Sequence, residues 1–143
     1  MAFGVQIVFD AADPAKLAKF WAVALDYIPQ PPPPGFDTWR DFGREIGLPE
    51  EKLHDLAALV DPDGAKPRLF FQRVPEGKVA KNRVHLDINI TSGPAEGDDG
   101  WRRVVAHTER LVAAGATVVR EVNEPIGHWM IMQDPEGNEF CVH

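Results

Sequence analysis

Asp61-Pro62-Asp63-Gly64, followed by Leu69-Phe70-Phe71-Gln72, returns near the end of the chain as Asp134-Pro135-Glu136-Gly137 followed by Glu139-Phe140-Cys141-Val142. The openings match as well: Val5-Gln6-Ile7-Val8-Phe9 leads into a helix-like stretch from Pro14 to Leu25, and Val84-His85-Leu86-Asp87-Ile88 into one from Asp98 to Ala114. Two copies of one supersecondary unit that fold together account for this pattern, and a site is then expected where the copies meet.

Strand and helix signals follow the order β-α-β-β-β in each copy. In the first, Asp13-Pro14 supplies an N-cap and a first-turn proline. Leu17, Phe20, Trp21 and Ala24 then form one apolar helical stripe. Tyr27-Ile28 reads as a short strand ended by Pro31 to Pro34, four prolines that lack amide donors and hold an extended spacer. A proline-recognition ligand is the sharper reading of that run, but no arginine or lysine flanks it in the usual manner. Ala57 to Val60 and Arg68 to Val74 form a hairpin across the first Asp-Pro turn.

Residues 35–56 have no counterpart in the second copy. Thr38 with Asp41, and Pro49-Glu50-Glu51, read as two helix starts, giving two short helices that bear Trp39, Phe42, Ile46 and Leu53. Such an insertion either packs its aromatics or closes over a site as a lid. In the second copy Val84 to Ile90 alternates strictly, with His85, Asp87 and Asn89 on one face. Trp101, Val104, Val105, Thr108, Leu111 and Val112 make a helical stripe ended by Gly115, and Thr117 to Val122, Gly127 to Gln133 and Glu139 to His143 supply the last strands. The expected class is α+β: two tandem βαβββ modules forming a cup-shaped eight-stranded mixed sheet with helices outside. The chain reads as a single domain over 1–143, with module one at about 1–76, its helical insertion at about 35–56, and module two at about 82–143.

Composition narrows the function classes. The 143 residues carry a formal charge of −7, which argues against a nucleic-acid footprint, and the most basic cluster, Lys78 to Arg83, holds three cations and reads as a solvated loop. No apolar stretch reaches bilayer length, so no membrane partner is expected. The lone Cys141 forbids an internal disulfide and makes the cytoplasm the default location.

The frame of Asp13-Pro14 before Phe20-Trp21, the two Asp-Pro hairpin motifs and the duplicated element order resemble the vicinal oxygen chelate superfamily. Within it, Leu69-Phe70-Phe71-Gln72-Arg73-Val74-Pro75-Glu76, Lys81-Asn82-Arg83-Val84-His85-Leu86-Asp87 and Gly137-Asn138-Glu139-Phe140-Cys141 are similar to glyoxalase-like domain proteins of bacteria. The resemblance covers almost the whole chain. It implies a small-molecule ligand, and a homodimer, because members with this fold often pair. It also implies a metal site on Gln6, His85, Gln72 and Cys141, where Cys141 replaces the glutamate usual in metal-dependent members. One divalent ion, zinc, nickel or another, is the implied cofactor, with a metal-free protein as the alternative.

Two amides, one imidazole and one thiol make a poor magnesium, manganese or iron(II) site, since glutamine brings no charge to offset the ion. Cys141 as thiolate with His85 offers zinc only two good ligands. Cys141 reads otherwise as a small buried apolar residue. Glu139, two residues away on the same face, is the candidate catalytic carboxylate, although it sits about 7 Å along the strand. Asp87 reads as a partner for His85 or for a substrate. His54, His107, His128 and His143 have no ligand spacing and read as surface or loop histidines. Trp129 is expected on the helix-packed side, leaving Met130 and Met132, with Val8 and Phe70, as the apolar substrate-binding wall. Two functions follow: a metal-dependent lyase or isomerase of the glyoxalase type acting on an unknown substrate, or a metal-free sequestering protein resembling bleomycin-resistance members.

Overall fold

The computed structural model describes residues 1–143, the side chain of Pro94 excepted. They fall into two compact units, Met1–Gly77 and Lys78–His143. The class is α+β, built from two tandem βαβββ modules. The eight strands pair as two mixed four-stranded sheets that are not closed into a barrel.

In unit 1, β1 (Ile7–Ala11) runs parallel to β4 (Leu69–Arg73), β3 (Leu56–Val60) pairs antiparallel with β4, and β2 (Ile28–Pro29) lies antiparallel on the outer edge of β3. Helix α1 (Pro14–Leu25) starts where the sequence requires, with the Asp13 carboxylate accepting from Lys16 N–H at 3.0 Å and Pro14 in the first turn. It ends at Asp26, whose left-handed φ of 53° lets the chain turn into β2. The stripe Leu17, Phe20, Trp21 and Ala24 is fully buried. Phe9 stacks on Phe71 and tilts against Trp21, both at 5.1 Å, so the sheet face carrying Ile7, Phe9, Leu69 and Phe71 is the one α1 covers. Alternation puts Val8, Asp10, Ala58, Phe70 and Gln72 on the opposite face. The insertion folds as two short helices, α2 (Trp39–Glu45), capped by Thr38 Oγ1 accepting from Asp41 N–H, and α3 (Glu50–Leu53).

Unit 2 repeats the strand order. β5 (Leu86–Ile88) is parallel to β8 (Glu139–Val142), β7 (Gly127–Gln133) is antiparallel to β8, and β6 (Thr117–Glu124) pairs outside β7 with a bulge between Val118 and Arg120. Helix α4 (Gly97–Ala113) buries Val104, Thr108 and Leu111, and Gly115, with φ at 115°, takes the chain out of it. The strand expected over Val84 to Ile90 shrinks to three residues. Val84 lies out in solvent, while Ile90 N–H and Thr91 N–H both donate to the His143 carbonyl.

The two Asp-Pro turns share chemistry and differ in burial. Asp61 accepts from the N–H groups of Asp63, Ala65 and Lys66 in the open. Asp134, 3% exposed, accepts from Glu136 N–H, Asn138 N–H and the Asn138 side-chain amide. Among the described residues, no helix is long and apolar enough to cross a membrane.

One face assignment is reversed. Met132 pairs with Phe140 and Met130 with Val142, whereas Ile131 pairs with Cys141. Trp101 of α4 stacks on His128 at 3.3 Å, so the face holding His128, Met130 and Met132 is the one α4 covers, and Met132 is fully buried there. Met132 is therefore a core residue, and Met130, half-buried, shares its helix-covered face, so the pair does not form an open binding wall. Trp129 is on the other face, stacked on His143 at 5.6 Å. Alternation sorts side chains into two sets without saying which set meets the helix, and both sets of β7 are apolar enough for either role.

Candidate functional site

On the face of sheet 2 away from α4, the parallel register sets Asp87 directly beside Cys141. His85, just before β5, turns to the same face, with Nε2 at 3.3 Å from Asp87 Oδ1. The ligand atoms of His85, Asp87 and Cys141 all lie within 4.8 Å of one another, a grouping able to hold a metal ion. His143 joins from the end of β8. Its enclosed Nε2 has no hydrogen-bond partner and lies 3.5 Å from Asp87 Oδ2. Spacing had assigned His143 to the surface; the signal that places it here is strand parity, two residues beyond Cys141.

Cys141 is buried and its thiol is pushed up to about 11, first by desolvation and then by the neighbouring Asp87 carboxylate. It is an unreactive thiol at neutral pH unless a cation displaces its proton. Glu139 is unsuited to the role of base. Its carboxylate accepts from Asn82 N–H at 2.9 Å and pairs with Lys78 Nζ at 3.1 Å. The Asn82 hydrogen bond, opposed by desolvation and assisted by Glu139's own backbone N–H and Lys78, holds it down at about 2. A carboxylate so far below the working pH takes up a proton poorly.

The two glutamines do not converge. Gln6 neighbours Arg68 and accepts from its Nη1 at 2.6 Å, while Gln72 pairs with Asp10 and donates to Asp10 Oδ1 at 2.8 Å. Four strand positions, about 13 Å, separate them, so they cannot ligate one ion together. Within unit 2, the group that fits a metal is His85, Asp87 and Cys141. One imidazole, one carboxylate and one thiol suit a borderline ion such as zinc better than manganese or magnesium.

Unit 1 holds a cavity of about 740 Å³. It exists because β2 pairs only with Leu59 and Val60, which leaves the Leu56–Ala58 stretch of β3 to be bordered by the insertion. Trp39, Phe42, Ile46, Leu48 and Leu53 contribute from the α2–α3 segment, and three alanines of α1, Ala15, Ala18 and Ala22, leave room on the other side. Trp39 and Phe42 also pack edge to face at 5.8 Å, and the Trp39 indole N–H donates to the Gln30 carbonyl at 2.8 Å. The sequence reading missed the alanines and Gln30; only Phe70 of the proposed apolar wall lines this space.

The family model for the Glyoxalase-like domain matches residues 6–143. The chain belongs to this family, within the vicinal oxygen chelate superfamily. Among solved structures, one relative in fold is a variant of the fosfomycin resistance protein FosX from Listeria monocytogenes, complexed with Mn(II) and 1S,2S-dihydroxypropylphosphonic acid. It is 14% identical with a TM-score of 0.65, covering 100% of this chain and 92% of that one. FosX from Mesorhizobium loti aligns at 14% identity and a TM-score of 0.63, covering 100% and 92%. A glyoxalase/bleomycin resistance/dioxygenase family enzyme from Burkholderia phytofirmans PsJN aligns at 13% and 0.60, covering 96% and 93%. These likenesses concern the fold alone. No curated protein matches the chain at a significant level.

Proposed function

We infer that this chain is a small-molecule binding protein of the sequestering kind, holding an apolar ligand in unit 1 without transforming it. The observation that carries the reading is the 740 Å³ cavity, a volume typical of sites for ligands of drug-like size, lined by aromatic and aliphatic side chains with few polar groups. The chemistry of Glu139 and Cys141 supports it from the other side, since neither group is poised to move a proton at neutral pH. A thermal-shift screen of small aromatic and alkyl compounds tests the reading. Several should raise the melting temperature in proportion to concentration, and a broad panel without a single hit would overturn it.

The cluster in unit 2 favours a second reading, a divalent ion on His85, Asp87 and Cys141, for which zinc is the suitable ion. Bound there, zinc would supply Lewis-acid polarisation of a substrate oxygen. The chain's own contribution is to set the Asp87 carboxylate beside the His85 imidazole and the Cys141 thiol. Elemental analysis of protein purified without chelator separates the readings. The second requires about one zinc per chain and its loss in His85→Ala; metal-free protein that takes up neither zinc nor nickel contradicts it. A homodimer and a cytoplasmic location are part of the proposal, and size-exclusion chromatography with light scattering tests the first.

A further inference from the structure

Arg68 is the one strongly cationic group among the side chains that form the sheet-side wall of the unit 1 cavity. It occupies an unusual setting. Its Nε donates to Gln30 Oε1 and its Nη1 to Gln6 Oε1, each at 2.6 Å, and its guanidinium lies 5.0 Å over the Phe70 ring. Both hydrogen-bond partners are neutral amides. Among the described residues no carboxylate pairs with Arg68, although the chain carries 22 acidic residues against 15 basic ones. By contrast, Arg40, Arg44, Arg73, Arg102 and Arg103 each have a carboxylate beside them.

A half-buried guanidinium without a counter-charge is costly unless something completes it. Burial already pulls its pKa below the ordinary arginine value, yet the group stays cationic. The two amides fix the plane of the fork through Nε and Nη1 and leave further N–H donors for an acceptor arriving from the cavity. A carboxylate fills that geometry, because its two oxygens match parallel N–H donors.

We propose that the unit 1 cavity binds a monocarboxylate with an apolar aryl or alkyl body, the body lying among Trp39, Phe42 and Ala22 and the carboxylate on Arg68. This deepens the binding reading above and rests on it. Lys19, the other cation at the cavity, is exposed on α1 and serves as the internal control.

The test compares 4-phenylbutyrate with 4-phenylbutan-1-ol, by calorimetry and by tryptophan fluorescence. The acid should bind wild type about tenfold or more tighter than the alcohol, as expected for a charge-assisted pair with limited water access. Arg68→Gln should bring the two affinities together by weakening the acid alone, Lys19→Gln should leave their ratio nearly unchanged, and Ala22→Trp should abolish binding of both. Equal affinities in wild type would overturn the carboxylate assignment and leave the binding reading standing. Binding of neither compound would overturn both. Loss of the preference in Lys19→Gln would move the carboxylate from Arg68 to Lys19, and retained binding in Ala22→Trp would place the site elsewhere; either result would overturn the proposal. Because Arg68 bridges two glutamines, Arg68→Gln is checked by its melting curve. If it does not fold, Arg68→Lys replaces it: the loss of the planar fork should cost the acid several-fold, and an unchanged acid affinity would contradict the assignment.

Discussion

In unit 1, on the sheet face away from α1, Gln6 and Gln72 sit at opposite ends and are occupied by Arg68 and Asp10. In unit 2, on the face away from α4, His85, Asp87 and Cys141 are gathered within 4.8 Å, with His143 beside them. The helix-covered faces are alike: Phe71 and Phe140 are both fully buried on strands that follow an Asp-Pro turn. The two copies therefore agree where the side chains build the scaffold and differ where they are free to do chemistry. A buried aromatic is constrained by packing from every side, whereas a polar residue on an open face is constrained only by what it binds.

The Asp-Pro turns give the largest expected difference between the copies. Asp134→Ala removes an acceptor from several enclosed N–H groups and should destabilise the protein by roughly 3 kcal/mol, as measured by urea unfolding. Asp61→Ala, at the exposed turn, should cost clearly less, and equal costs would break the contrast. Next in size is Glu139→Gln, expected to cost on the order of 1–2 kcal/mol at neutral pH. The sign follows from the carboxylate being held at about 2, against an ordinary 4.5. Its stabilisation is fully present above about 4.5 and is lost as pH falls through 2, so wild type and variant should converge under acid. Parallel stability curves down to pH 2 would show that the Asn82 and Lys78 contacts contribute nothing. The smallest effect has the opposite sign. Thr108 Oγ1 is buried in α4 with no hydrogen-bond partner, so Thr108→Val should leave stability unchanged or raise it by up to about 1 kcal/mol. A loss would mean that the hydroxyl is satisfied in solution.

Most of the scaffold was legible from local signals. The Asp13-Pro14 cap, the α1 stripe and the repeated turn each point to a single local structure, and their recurrence in order fixed the βαβββ plan. The site was less legible. His85 and Cys141 share a face, as strand parity implies, but parity could not say that Gln6 and Gln72 lie too far apart to act together, because strand register is a tertiary property. The same gap misplaced Met130, Met132 and Trp129. Glu139 looked like a free carboxylate because its partners, Lys78 and Asn82, are remote in sequence. The cavity was hidden for another reason: it arises from the shortness of β2 and from alanines, and small residues advertise space only once their neighbours are known.

The contrast between the units meets its most direct test in amide and indole chemical-shift mapping as 4-phenylbutyrate is titrated into isotope-labelled protein. The expected result is a saturable set of shifts at Ala18, Ala22, Leu53, Ala58 and the Trp39 indole N–H, with His85, Asp87 and Cys141 unmoved. Shifts centred on His85, Asp87 and Cys141, with the lining of the unit 1 cavity unchanged, would contradict the account.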